Sequence, residues 1–213
     1  GDVEGNTGAG VQTQFLVVLD GSQGSVVNNE VRLEDSQLFL GGNDEHILDE
    51  KRYFNVIKQK TASLFSSCML MGGYSNGATD EQLNAIEEYG NKLGLCFQIK
   101  DDIFDYFTDD SVGKPTGSDL KEGKVSLPLL FALQSNSDEQ NTQMLDMLMR
   151  GNLTDEEISL LIEYAKEKGG IEYAEEMMLK LKSEAEDALS IFPNSKIKDV
   201  LIELLDYIIA RNY

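Results

Sequence analysis

One stretch of nine residues decides how the rest of this chain is interpreted, and it reads Phe97-Gln98-Ile99-Lys100-Asp101-Asp102-Ile103-Phe104-Asp105. It places three carboxylates and one amide inside an apolar run with helical spacing. Because a helix turns by about 100° per residue, four polar side chains fall within one arc of roughly that width: Gln98, Asp101, Asp102 and Asp105. We therefore expect these four residues to share one face of a helix.

Two glycines extend this acidic face toward the start of the same predicted helix. Gly94 falls on the same stripe and Gly90 at its edge, so we expect a bare groove that something other than a neighbouring helix occupies. Hard oxygen ligands suit Mg²⁺, which is usually shared between carboxylates and a substrate phosphate. The spacing alone supports a solvated acidic helix end equally well, because the chain is strongly acidic.

Composition excludes some classes of function. The chain has 213 residues, of which 41% are hydrophobic, enough for one sizeable core. Its 18 Lys and Arg residues stand against 38 Asp and Glu residues, a net charge of −20. Nucleic-acid binding requires a basic patch, and none is visible in the sequence, so we expect no nucleic-acid partner. Small phosphorylated ligands are compatible with this charge if metals bridge them to carboxylates and a few lysines converge.

The sequence favours a cytoplasmic protein. No apolar run reaches the length of a membrane span, and no basic segment followed by an apolar one predicts an export signal. Cys68 and Cys96 both lie within apolar helical patterns. We expect both thiols to be buried and reduced rather than joined in a disulfide.

From residue 45 onward, the apolar spacing predicts helices only. We expect them over 49–71, 79–107, 128–134, 141–150, 154–168, 171–191 and 197–211. Gly72 and Gly73 are expected to end the first helix, and a capping box of Thr79 and Gln82 to open the second. This pattern predicts an all-α bundle. We expect residues 1–44 to be a separate, atypical segment, in which periodicity leaves residues 14–19 open between strand and helix and Glu30–Leu40 could form a short helix before Gly41 and Gly42.

Three lysines and a threonine accompany the acidic helix. Lys60 and Thr61 lie in the middle of the first predicted helix, and Lys114 and Lys124 lie in the polar, glycine-rich loop after the acidic stretch. Taken singly, each lysine fits an exposed residue whose aliphatic stem covers apolar surface. If the two long helices pack side by side, however, these residues surround the carboxylates. Carboxylates, metals and lysines together would form a cradle for a diphosphate.

Six motifs, in this order, resemble those of the trans-type polyprenyl diphosphate synthases. They are Lys60-Thr61-Ala62-Ser63, Phe97-Gln98 with Asp101-Asp102 and Asp105, Gly113-Lys114, Gly117 with Asp119-Leu120, Glu122-Gly123-Lys124 and Leu127-Pro128-Leu129. The match covers residues 45–213. The resemblance implies a polyprenyl synthase-like domain over that range, an isoprenoid synthase-like helical bundle around a central cavity, with the N-terminal helices missing or altered.

The resemblance also implies a role for each matched residue. The residues that hold Mg²⁺ on an allylic diphosphate, as the second aspartate-rich motif, are Asp101, Asp102 and Asp105. The lysines that contact the diphosphate oxygens are Lys60, Lys114 and Lys124. The residues that stabilise the developing carbocation are Thr61 and Gln98. The implied reaction is Mg²⁺-dependent prenyl transfer, in which the allylic diphosphate ionises, isopentenyl diphosphate attacks the cation, and a proton is lost.

The chain departs from that family in its first half. It lacks the first aspartate-rich motif, the paired arginines that follow it, and the Gly-Lys and Arg that hold isopentenyl diphosphate. Three interpretations follow: an incompletely represented working synthase, a non-catalytic subunit that binds and modulates an active partner, or a helical module that has lost catalysis. We favour the first, because burying three acids without a metal is costly. The family resemblance further implies a homodimer.

Overall fold

The computed structural model describes residues 48–107 and 116–212. Every regular element in these ranges is helical, which confirms the predicted all-α class. In chain order the helices are α1 (Glu50–Ile57), α2 (Ser63–Ser75), α3 (Asp80–Phe104), α4 (Ser118–Lys121), α5 (Leu127–Gln134), α6 (Glu139–Arg150), α7 (Asp155–Glu167), α8 (Gly170–Ala188) and α9 (Lys196–Ala210). A π-helical segment, Lys58–Ala62, joins α1 to α2, and a 3₁₀ turn, Leu189–Ile191, follows α8. The predicted segment 1–44 lies outside the described residues.

Helix α3 is the axis of the bundle. It makes its most extensive contacts with α2 and α8, and it also touches α9 and the π-helical segment. Tyr89, Cys96 and Ile99 of α3 are completely buried in these contacts. Burying a large apolar side chain contributes about 1.5–3 kcal/mol, so these residues fix which face of α3 each neighbour covers. Within the described ranges, none of the helices combines the length and apolar character that a membrane crossing requires.

The start of α3 follows the predicted capping box. The Thr79 hydroxyl accepts a hydrogen bond from the backbone N–H of Gln82 at 3.3 Å, and the Gln82 side chain accepts one from the N–H of Thr79 at 2.9 Å. These two bonds satisfy donors that a helix start leaves unpaired. The helix ends at Phe104, three residues before the predicted boundary, because the chain turns there toward the loop that leads to α4.

The prediction that Gly72 and Gly73 end the first helix is wrong. Helix α2 continues through both glycines to Ser75. A glycine costs a helix about 1 kcal/mol relative to alanine but does not by itself end it. The turn lies instead at Gly77, whose φ of 67° is in the left-handed region that glycine adopts readily.

The two glycines of α3 bring the π-helical segment and α2 against its surface. A Cβ atom at Gly94 would lie 2.5 Å from the Cα of Ala62, and one at Gly90 would lie 2.8 Å from the Cα of Ser66. The expectation that something other than a helix lies along this glycine stripe is therefore wrong. The close crossing instead brings the π-helical segment, which carries Lys60 and Thr61, directly onto the acidic helix.

Candidate functional site

A half-open pocket of about 60 Å³ lies where α1, the π-helical segment and α3 meet the end of the loop after α4. Ten residues line it: Tyr53, Val56, Ile57, Lys60, Gln98, Asp102, Asp119, Lys124, Val125 and Ser126. Four of the residues proposed from the sequence, Lys60, Gln98, Asp102 and Lys124, are thus brought together from three separate stretches of the chain. Lys114 lies outside the described residues.

A chain of hydrogen bonds crosses the wall of this pocket. Thr61 donates from its hydroxyl to the side-chain oxygen of Gln98 at 2.7 Å, and the Gln98 amide donates to Asp102 Oδ1 at 2.8 Å. The Tyr53 hydroxyl donates to Asp102 Oδ2 at 2.7 Å. Each polar group fixes the orientation of the next, so the Gln98 amide is held with its oxygen toward Thr61 and its nitrogen toward Asp102.

Asp102 is a buried carboxylate at the centre of this chain. Only 5% of the residue is exposed, and burial raises the pKa of its carboxyl from 3.8 to about 7, although the hydrogen bonds from Tyr53 and Gln98 act in the opposite direction. No ion pair reaches Asp102 from any described residue. A cation placed in the pocket would therefore lower the cost of its negative charge.

The two described lysines of the site stand at the edge of the same pocket. Lys60 is exposed, and Lys124 is partly buried. Lys124 Nζ lies 3.6 Å from Asp119 and 2.5 Å from Glu122. Burial lowers the pKa of Lys124, but the bonds to Glu122 and the charge of Asp119 outweigh it and raise the pKa above the usual value. Lys124 is thus a positive charge held at the edge of the pocket by Asp119 and Glu122, whereas Lys60 reaches the pocket from an exposed position.

Of the three aspartates, only Asp102 is among the residues that line this pocket, and the other two have partners elsewhere. Asp101 forms an ion pair with Arg211 at 2.5 Å. Asp105 accepts backbone hydrogen bonds from Ser118 and Asp119, each at 3.0 Å, and so caps the start of α4. The physical reason is that each carboxylate finds a different partner, which the helical spacing does not specify.

The donor set is compatible with a divalent metal but is incomplete by itself. Within the described ranges, no three acidic, histidine or cysteine side chains converge as a metal site. Asp102 is nevertheless buried without a countercharge among the described residues, whereas Asp101, its neighbour in the sequence, is paired with Arg211. Mg²⁺ commonly takes one or two protein carboxylates and completes its coordination with water and substrate phosphate, and Asp102 is compatible with one such ligand.

Two residues of the site escaped the sequence reasoning. Helical spacing gives Tyr53 only a place within the first predicted helix, and Arg211 only the end of the last. Their partners are separated from them by 49 and 110 positions, respectively. The one available signal for Tyr53 is its hydroxyl, because a buried tyrosine usually requires a hydrogen-bond partner.

Known proteins share this arrangement of helices. The sequence profile of the polyprenyl synthetase family matches residues 27–165. The short chain isoprenyl diphosphate synthase of Methanothermobacter thermautotrophicus is 30% identical over 190 residues, which are 88% of this chain and 58% of that protein. The structure of geranylgeranyl pyrophosphate synthase from Bacteroides thetaiotaomicron is similar, with a TM-score of 0.71 and 43% identity, over 78% of this chain and 55% of that one.

A third relative was solved with ligands. The polyprenyl synthase of Caulobacter crescentus CB15, complexed with calcium and isoprenyl diphosphate, has a TM-score of 0.73 and 30% identity, over 84% of this chain and 54% of that chain. The present chain thus spans little more than half the length of these three relatives. The family profile covers most of this chain, and the solved relatives have the same all-α isoprenoid synthase fold. The chain therefore belongs to the polyprenyl synthetase family.

Proposed function

We propose that this chain carries the diphosphate-binding half of a prenyltransferase that condenses an allylic diphosphate with isopentenyl diphosphate. The observation that carries the proposal is the pocket in which Lys60, Lys124, Gln98 and Asp102 meet. It combines positive charge for an anionic leaving group with a buried carboxylate that requires a countercharge. The names of the relatives support the same activity.

The leaving group is the part of the reaction that these residues address. The allylic C–O bond breaks and its electron pair goes to the diphosphate, so negative charge develops on the diphosphate oxygens. Lys60 and Lys124 stabilise that charge from the edge of the pocket, and we assign the same role to Lys114. Lys124 is held at the edge of the pocket by its ion pairs, and a charge held in place before the reaction is effective because it does not have to reorient while the reaction proceeds.

The negative ends of fixed dipoles can stabilise the developing allylic cation. Thr61 and Gln98 are held in fixed orientations by the hydrogen-bond chain, and we propose that their oxygens stabilise the cation. The double bond of isopentenyl diphosphate then attacks it, and loss of a proton restores a double bond in the product. Half-buried Phe65 and Phe97, whose ring centroids are 5.6 Å apart, would supply apolar surface that keeps water from the cation.

We propose Mg²⁺ as the metal of this site, with Asp101, Asp102 and Asp105 as its protein ligands. When bound, the ion would draw negative charge from the diphosphate as a Lewis acid. Asp105 is included because the family resemblance places it in the same aspartate-rich motif as Asp101 and Asp102. The calcium bound by the Caulobacter crescentus relative supports a divalent ion.

Three further assignments complete the proposal. We propose a homodimer, from the family resemblance, a cytoplasmic location, from the two cysteines that form no disulfide, and a catalytic rather than a modulating role. Among the described residues, no observation favours the non-catalytic subunit, because each residue type assigned to diphosphate binding is kept. Light scattering after size-exclusion chromatography tests the dimer directly.

Calorimetric titration with farnesyl diphosphate tests the proposed function. We expect binding in the presence of Mg²⁺ and none after chelation. Lys60→Gln should weaken this binding by at least about threefold, because it removes a charge-assisted contact. Lys58→Gln is the matched control, since Lys58 is an exposed lysine two residues away that does not line the pocket, and it should bind as the parent does. Heats that do not depend on Mg²⁺, or equal losses in both variants, would contradict the proposal.

A further inference from the structure

Arg211, immediately after α9, is placed against the acidic helix by several contacts at once. Its Nη2 donates to Asp101 Oδ1 at 2.5 Å and to the backbone oxygen of Phe97 at 3.3 Å. Its guanidinium carbon lies 4.5 Å from the centroid of the Phe97 ring and 5.0 Å from that of Phe104. The guanidinium therefore lies against both aromatic rings. It covers the face of α3 that carries Asp101, one of the proposed metal ligands.

These contacts hold the Arg211 side chain, but they leave one of its nitrogen atoms without a hydrogen bond. Arg211 Nε is buried and has no hydrogen-bond partner among the described residues, which costs about 1–3 kcal/mol. Lys100 adds a second cation nearby, with its Nζ 5.4 Å from the centroid of the same Phe104 ring. The ion pair with Arg211 thus compensates the charge of Asp101. The unpaired Nε atom carries a free-energy cost, and moving the Arg211 side chain into solvent would remove it.

The rest of α9 does not depend on this contact. The Tyr89 hydroxyl donates to the backbone oxygen of Leu201 at 2.8 Å, which ties the middle of α9 to α3. Leu205 and Ile208 are buried in the bundle. Arg211 can therefore leave Asp101 through a movement of the last residues alone, without unfolding the helix.

We propose that Arg211 is an exchangeable countercharge: it neutralises Asp101 while the site is empty and is displaced when a divalent metal with diphosphate binds. The inference rests on the proposed function, because it takes Asp101 as a metal ligand. It adds that the C-terminal end of α9 competes with the ligand for one carboxylate. Removing a competitor raises the fraction of the protein that is ready to bind.

Two measurements on the full chain test the exchange, with Mg²⁺ and inorganic diphosphate as the probe. In the first, calorimetry compares the parent with Arg211→Gln. We expect the variant to bind at least about threefold more tightly, because the competing charge is gone. Arg150→Gln is the control, since Arg150 pairs with Glu157 on the surface, and it should bind as the parent does.

In the second measurement, amide hydrogen exchange follows the end of α9. We expect faster exchange there when Mg²⁺ and diphosphate are added to the parent. Asp101→Asn should produce faster exchange without any ligand, because the ion pair is already broken. The internal part of α9 around Leu201 should remain unchanged in both cases and serves as the reference.

The measurements distinguish a failure of the Arg211 exchange from a failure of the proposed function. Equal or weaker binding by Arg211→Gln, with the parent still binding in a Mg²⁺-dependent way, would overturn the exchange and leave the proposed function standing. Binding by neither protein would overturn both. Binding by Arg211→Gln alone would support the exchange in its extreme form, in which Arg211 blocks the empty site. An end of α9 whose exchange rate is the same with and without ligand would overturn the proposal.

Discussion

The carboxyl group of Asp102 makes the stability of the folded chain depend on pH. Its pKa is about 7 in the folded state, against an ordinary value of 3.8, because burial disfavours the ionised form. The folded state therefore keeps this proton to a higher pH than the unfolded state does. The stabilising contribution of the protonated carboxyl is fully present below 3.8 and is lost as the pH rises through about 7.

We expect Asp102→Asn to be more stable than the parent at pH 8 in metal-free buffer, because asparagine stays neutral. The gain should be at least about 1 kcal/mol, which corresponds to about 2–4 °C in melting temperature for a chain of this size. Thermal melts at pH 5 and pH 8 measure it, and the difference should be smaller at pH 5. Asp187→Asn, on the exposed side of α8, is the control. If Asp102→Asn lost as much stability as the parent between pH 5 and pH 8, the pH dependence could not be assigned to Asp102.

The two cysteines should differ sharply in reactivity. The prediction that both are buried is wrong for Cys68, which is exposed, while Cys96 is buried. Burial raises the pKa of the Cys96 thiol to about 12, even though the nearby charge of Lys92 opposes the shift. Because the thiolate is the reactive form, we expect iodoacetamide at pH 8 to label Cys68 alone in the native protein and both residues in denaturant. Native labelling of Cys96 would contradict the packing around α3.

Individual site residues were predictable from the sequence to different degrees. The spacing of Gln98 and Asp102 placed both on one helical face, and both line the pocket. The same rule put Asp101 there too, but the choice between the pocket and Arg211 depends on where the chain lies 110 positions later. Periodicity specifies the direction of a side chain on its helix and leaves its distant partner undetermined.

The crossing of α3 with the π-helical segment depends on glycine at position 94. An added Cβ would meet Ala62 at 2.5 Å from its Cα and 2.9 Å from its Cβ, and both helices are fixed by their other contacts. We expect Gly94→Ala to lower the free energy of unfolding by about 1–3 kcal/mol, as overpacking typically does. The variant should also weaken Mg²⁺-dependent diphosphate binding, because it moves Lys60 relative to Asp102.

Gly72 supplies the matched control at the other end of α2. A Cβ there meets no atom within 4 Å, and the residue lies inside the helix. Gly72→Ala should therefore stabilise the protein by up to about 1 kcal/mol through helix propensity alone. Chemical denaturation of the two variants gives both values. If Gly94→Ala and Gly72→Ala changed the free energy of unfolding equally and in the same direction, close packing would not be the reason for glycine at position 94.

At the scale of the single helix, the sequence predicts where helices occur well and where they begin and end less well. The Thr79 capping box located the start of α3 correctly because it is a local interaction between neighbours in the chain. The end of α2 was missed because Gly72 and Gly73 are tolerated inside the helix, whereas the turn requires Gly77. The apolar spacing predicted one continuous α-helix there and not the π-helical segment, which lies where the chain crosses α3.

At the scale of the whole molecule, the proposed function makes this chain one wall of a larger reaction site. Its family match is clear, and the match spans little more than half the length of the relatives compared with it. The all-α class followed from helical spacing alone. The candidate site was predicted from the family resemblance of six short motifs, and the fold brings Lys60, Asp102 and Lys124 together from separate stretches of the sequence.

The central claim is that the carboxylates of α3 and the lysines of the pocket bind a metal and a diphosphate together. Crystals soaked with Mn²⁺, as a substitute for Mg²⁺ that scatters anomalously, and with inorganic diphosphate test it most directly. The account predicts an anomalous peak within coordinating distance of Asp101 or Asp102, with diphosphate oxygens on the same ion and in contact with Lys60 and Lys124. Ions bound only at other surface acids, with the pocket free of diphosphate, would contradict it.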